Sequence, residues 1–142
     1  MTNIRHTGIV VTNIDNSIEF YNQYFGFEVK KDMLERGDYI DNFCAMEDVS
    51  VRTVKMALEN GNMIELLDFV SHPEDNLDKK INQIGCTHIA LTVDNLDLLY
   101  DRMKTDGVHF NCTPQASPDG MAKATFCRDP HGTFIELVEI LN

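Results

Sequence analysis

Long apolar runs are missing from this 142-residue chain. The longest are strand-sized, well short of the roughly 18 residues that a membrane-spanning helix needs, so no membrane partner is expected. The start, MTNIRHTGIVV, lacks the charged region and long apolar stretch of a secretory signal. Basic residues are also scarce, with 12 Lys and Arg against 23 Asp and Glu and a formal net charge of −11. That balance repels polyanions and leaves no basic stripe, which argues against nucleic acid as a partner. An anionic small substrate stays open, because local cations can outweigh a distant acidic excess; Arg52, Lys55 and Lys123 are the candidates. Zinc-type cysteine spacing is absent too. Cys44, Cys86, Cys112 and Cys127 form no CxxC pair, and without a secretory signal they read as reduced thiols, which points to the cytoplasm. What remains is ordinary globular composition, 43% hydrophobic and 25% charged, on a chain long enough to bury roughly 70% of its unfolded surface.

The chain repeats itself. HTGIVVTNID from His6 matches HIALTVDNLD from His88, each running from His through β-branched and apolar residues to Asn, an aliphatic residue and Asp. Each is followed by a helical pattern, Ile14, Ile18, Tyr21 and Phe25 in the first half and Leu96, Leu99, Tyr100 and Met103 in the second. Asp15 and Asp97 near the helix starts, and Gly26 and Gly107 at the far ends, read as capping signals. Further on, VRTVKMALENGNMIELL aligns without a gap to AKATFCRDPHGTFIELV, so that Gly61 meets Gly132 and Glu65 meets Glu136. Each half therefore reads as one strand, one helix and about three strands. The expected organisation is a single domain over 1–142, with one module at 1–69, a polar connector at 70–85 carrying a short helical turn before Gly85, and a second module at 86–142. Pro114 and Pro118 mark a variable loop, and His109 falls in a short strand after Gly107.

The chemistry-bearing residues recur with the repeat. His6 and His88 open the first strand of each half, while Glu65 and Glu136 stand mid-strand among apolar neighbours in the last. Side chains alternate along a strand, so each histidine shares a face with a small residue, Gly8 or Ala90. An ionised carboxylate on an apolar face costs several kcal/mol unless a partner offsets it. Two neutral imidazoles and two carboxylates would balance one dication, with N and O donors suited to Ni, Co, Mn, Fe or Zn. A lone strand His is more often a hydrogen-bonded core residue, and a lone strand Glu usually faces solvent. Four of them at matching positions of a repeat make the metal reading the better one. His72, His109 and His131 are assigned to connector, strand and turn, and Cys86, two residues before His88, reads as a buried bystander thiol.

These motifs, HTGIVV and HIALTV, NIDNSIEFYNQYFGF, MIELL and FIELV with FCRDPHG before it, resemble the vicinal oxygen chelate superfamily, also called the glyoxalase, bleomycin-resistance and dioxygenase superfamily. The resemblance covers nearly the whole chain. It implies an α+β fold of two tandem βαβββ modules pairing into a cup-shaped, incompletely closed sheet. It also implies that His6, Glu65, His88 and Glu136 are the metal ligands, the set typical of glyoxalase I; methylmalonyl-CoA epimerases commonly carry Gln where Glu65 stands. The expected function is that of a divalent-metal-dependent lyase or isomerase moving a proton next to a metal-bound carbonyl through an enediolate, on a substrate with vicinal oxygens. Glu136 is the expected base, with Glu65 the other catalytic carboxylate and Glu47 a remote possibility. Of the glutathione anchors typical of lactoylglutathione lyase, Lys123 maps plausibly and Arg52 and Arg5 only weakly. The alternatives are an extradiol-type dioxygenase, disfavoured by the fourth ligand, and a drug-binding resistance protein, which generally lacks the metal residues. A homodimer is expected, because sheets of this kind expose faces and edges that pairing covers.

Overall fold

In the computed structural model, which describes residues 1–75 and 78–142, a short strand, β1 (Thr7–Val10), leads straight into helix α1 (Ile14–Phe25). Asn13 starts that helix: its side-chain oxygen accepts the Asn16 backbone N–H at 3.2 Å, supplying one of the partners that a helix N-terminus lacks. Asp15 sits in the first turn, where the helix dipole favours an anion. Ile14, Ser17, Phe20 and Tyr21, spaced three or four apart, form the buried face. Gly26 stops the helix at φ 78°, a left-handed backbone that other residues adopt at a cost.

The chain then forms β2 (Glu28–Arg36), a short helix α2 (Asp38–Cys44), β3 (Ser50–Ala57) and β4 (Met63–Phe69). Strand order is β1-β4-β3-β2, with β1 parallel to β4 and the other pairs antiparallel. The β3–β4 hairpin turns through Leu58 to Asn62 with Gly61 at φ 89°. Strand β2 forms one edge and is charged and largely exposed, a composition that discourages further pairing. Helix α2 was not expected from sequence. It is held by Ile40, buried with Val49 and Val51, and by the Asp41 carboxylate, which accepts the backbone N–H groups of Asp48 and Val49.

The second half repeats the plan with β5 (His88–Thr92), α3 (Leu96–Thr105), β6 (Gln115–Ala116), β7 (Ala122–Arg128) and β8 (Phe134–Ile140), in the order β5-β8-β7-β6. Asn95 caps α3 by accepting from Leu98 N–H at 2.9 Å. Leu96 and Met103 of that helix and Ile135 and Leu137 of β8 are fully buried, each such burial stabilising by roughly 1.5–3 kcal/mol. The chain is α+β, with two open, four-stranded mixed sheets in two βαβββ-like modules.

The residues divide into two compact units, Met1–Asn76 and Leu77–Asn142, at a point inside the expected connector. Residues 76 and 77 of that connector lie outside the described residues. The expected turn before Gly85 is one i→i+3 hydrogen-bonded turn, Gln83 N–H to Lys80 C=O at 3.1 Å. Two local expectations need correction. His109 is not in a strand; only its neighbour Phe110 pairs, in an isolated bridge to Cys127. The stretch between Pro114 and Pro118 is not wholly loop, because Gln115 and Ala116 pair with β7.

Candidate functional site

Each half brings its histidine and its glutamate together across a parallel strand pair. In the first, Gly8 on β1 lies opposite Glu65 on β4. His6 stands two residues before Gly8, on the same face, and Gly8 has no side chain to intervene. His6 Nε2 therefore comes to 3.6 Å from Glu65 Oε1. In the second, Ala90 lies opposite Glu136, and His88 Nε2 is 3.3 Å from Glu136 Oε2. His88 is the first residue of β5, whereas His6 immediately precedes β1. On β4 the alternation is plain: Ile64 and Leu66 are buried, while Met63, Glu65 and Leu67 on the other face are half-buried. Glu65 is therefore neither on a solvated face nor sealed in the core, its side chain being 14% exposed against 32% for Glu136.

The neighbours of the two pairs differ. Opposite Glu65 on β3 is Lys55, whose Nζ lies 3.9 Å from Glu65 Oε2. Opposite Glu136 on β7 is Phe126, whose ring meets the His88 imidazole edge-on at 5.1 Å. The other ring nitrogen of His88, Nδ1, is 3.0 Å from the Thr87 hydroxyl, a contact of the kind that fixes ring orientation and tautomer. The structure pairs His6 with Glu65 and His88 with Glu136 and adds two neighbours that sequence reading did not name, Phe126 and Thr87. Cross-strand register across the hairpin would have supplied Phe126; no pattern marks Thr87.

The remaining expected residues lie elsewhere. Arg52 forks onto Asp32, Nε to Oδ1 at 3.0 Å and Nη2 to Oδ2 at 2.8 Å, and reaches Asp15 at the start of α1. The guanidinium hydrogen bonds hold the Asp32 carboxyl below its usual range and raise the already high value of Arg52. Lys123, its counterpart in the repeat, bonds Asp97 at the start of α3 and lies 3.9 Å from Glu139. The Asp97 hydrogen bond raises its pKa. The two cations thus tie each helix start to its sheet. Glu47 is exposed in a bend after α2, and Arg5 is exposed ahead of β1. Cys86, expected to be buried, is exposed, because it lies before the first paired residue of β5. His72 is exposed beside Ser71, and His131 is buried in its turn.

The donors fit a divalent cation chemically. Two ligand atoms each about 2.1 Å from one ion lie roughly 3.0–3.4 Å apart when adjacent in its coordination shell. The 3.3 Å and 3.6 Å separations are close to that spacing and long for a direct N–H···O bond. Imidazole nitrogen and carboxylate oxygen suit a borderline transition metal or zinc. Among the described residues, however, no group of three or more His, Cys, Asp or Glu side chains converges closely enough to hold an ion.

A duplicated βαβββ chain with an imidazole and a carboxylate paired on each sheet defines a recognisable class of protein. The chain belongs to the Glyoxalase/Bleomycin resistance protein/Dioxygenase superfamily, whose sequence profile it matches over residues 3–137. It is 28% identical over 137 residues to a probable lactoylglutathione lyase of Vibrio cholerae serotype O1, covering 96% of this chain and 89% of that one. In fold it resembles a glyoxalase family protein from Bacillus cereus (TM-score 0.89, 20% identity, 100% of this chain and 96% of that one). The trypanothione-dependent glyoxalase I of Leishmania major is also similar (TM-score 0.68, 22% identity, 98% and 87%).

Proposed function

We propose that the chain is a divalent-metal-dependent lyase or isomerase of the glyoxalase I type, acting on a small molecule with two neighbouring oxygens. His6, Glu65, His88 and Glu136 are its metal donors. The observation that carries this reading is the recurrence of one His–Glu pair, at 3.6 Å and 3.3 Å, on matching strands of both sheets. A bound dication would supply polarisation of the substrate carbonyl and offset the charge that develops as the adjacent C–H is lost. Glu136 is the base in this reading. It is the more exposed carboxylate and faces an uncharged Phe126, so that, released from or only loosely held by the ion, it would accept the proton from one carbon and return it to the neighbouring carbon. Glu65, beside Lys55, stays in place as a donor. Arg52 and Lys123 serve the substrate only at the edge of this reading, since both already hold carboxylates. The four free cysteines support a reducing, cytoplasmic setting, and the proposed assembly is a homodimer, for which size-exclusion chromatography should give about twice the 16.2 kDa chain mass.

The test joins metal analysis to turnover. Protein purified without added metal should retain about one divalent ion per chain, and should convert the methylglyoxal–glutathione hemithioacetal or methylmalonyl-CoA. Glu136→Gln should lower turnover by at least the 10²-fold that a positioned acid–base group contributes. Turnover of a catechol alone would make the chain an extradiol-type dioxygenase. A second reading, a binding protein of the same fold, is favoured by the lack of any convergent group of three donors among the described residues. A metal-free native protein that turns over none of these substrates would establish it.

A further inference from the structure

We infer that Lys55 is an anion contact of this site, so that the substrate carries a negative charge next to its vicinal oxygens. The inference rests on the reading of Glu65 and His6 as a donor pair and adds the charge of the ligand. Lys55 lies directly opposite Glu65 in the β3–β4 register, on the face that carries the His6–Glu65 pair. Its ammonium is 3.9 Å from Glu65 Oε2, beyond hydrogen-bond length. The other half-buried cations of the two sheets are committed more closely. Arg52 holds Asp15 and Asp32 within 3.0 Å, Arg128 holds Asp78 at 3.1 Å, and Lys123 bonds Asp97.

A lysine ammonium has three donors, and Lys55, its side chain half-buried, spends its ion pairing on one loose carboxylate contact at 3.9 Å. A second anion arriving on the same face would take up those donors as charge-assisted hydrogen bonds. The matching position of the repeat is Phe126, which brings no charge. Lys55 is assigned as the residue that selects anionic over neutral substrates and touches the charged group.

Oxalate, a dianion with vicinal oxygens, and oxamide, its neutral counterpart, are the probes, titrated calorimetrically into the Mn(II)-loaded full chain. Wild type should bind oxalate in preference to oxamide. Lys55→Met, saturated with Mn(II), should lose about tenfold in oxalate affinity, the order of one charge-assisted hydrogen bond, with oxamide binding unchanged, and Lys55→Arg should recover most of the loss. Equal oxalate affinity in wild type and Lys55→Met, equal loss of both probes, or a wild type that binds neither would overturn the assignment. If wild type takes up no Mn(II), the metal reading fails separately. The oxalate comparison on metal-free protein, wild type against Lys55→Met, then decides Lys55 alone.

Discussion

Cys127 shows how far one buried side chain departs from its behaviour in water. It is fully buried on β7, and burial, aided by the Asp129 carboxylate, pushes its thiol from the usual 9.0 up to about 12. Folding thus favours the protonated thiol, while an unfolded chain ionises it at the ordinary value. This contribution to stability is complete below pH 9.0 and is lost as the pH rises toward about 12. Unfolding free energy followed across that window should fall less steeply in Cys127→Ala than in wild type, whatever the variant's offset from its smaller side chain. A thiol reagent at pH 8 should label the exposed Cys86 and Cys112 at once and Cys127 only after denaturant is added, as mass spectrometry of the labelled peptides would show.

At the scale of elements, capping decides what a sequence announces. Asn13 and Asn95 each place an amide oxygen on the first turn of a helix. Asn13→Ala and Asn95→Ala should each cost about 1 kcal/mol, read as a lower urea midpoint at unchanged slope. The amphipathic spacing of α1 and α3 made both helices legible, although the aspartates taken as capping signals sit two residues past the cap, in the first turn, and asparagine performs the capping. Helix α2 was not legible. It is seven residues long, begins at Gly37 with no side-chain cap, and ends at Ala45 in a left-handed conformation that glycine or asparagine usually signals. The strand expected at His109 failed for a tertiary reason. The neighbouring β6 has only two paired residues, and the backbone near His109 follows β7 through single contacts, Arg128 N–H to His109 C=O and Asn111 N–H to Phe126 C=O.

For the whole molecule, the duplication was legible because the two glutamate strands align residue for residue, and the register bears this out: Glu65 faces Gly8 and Lys55, and Glu136 faces Ala90 and Phe126. The four His and Glu positions were legible for the same reason. The differences between the halves were less so, because an internal alignment records matching positions and not what a Lys or a Phe does beside a carboxylate. If the donors act as proposed, Mn(II) at a hundred times its dissociation constant should stabilise the chain by about 2.7 kcal/mol. Glu65→Ala and Glu136→Ala should each abolish that gain in a thermal melt with and without the ion.

In both halves the histidine stands at the start of the first strand, His6 just before β1 and His88 opening β5, and the glutamate lies in the last strand. Such non-local partners meet only after the intervening chain has found its place. A ribosome-bound fragment that stops short of β4 therefore presents His6 without Glu65, and one that stops short of β8 presents His88 without Glu136. If the four donors act as proposed, capture of the ion would report that both units had finished folding.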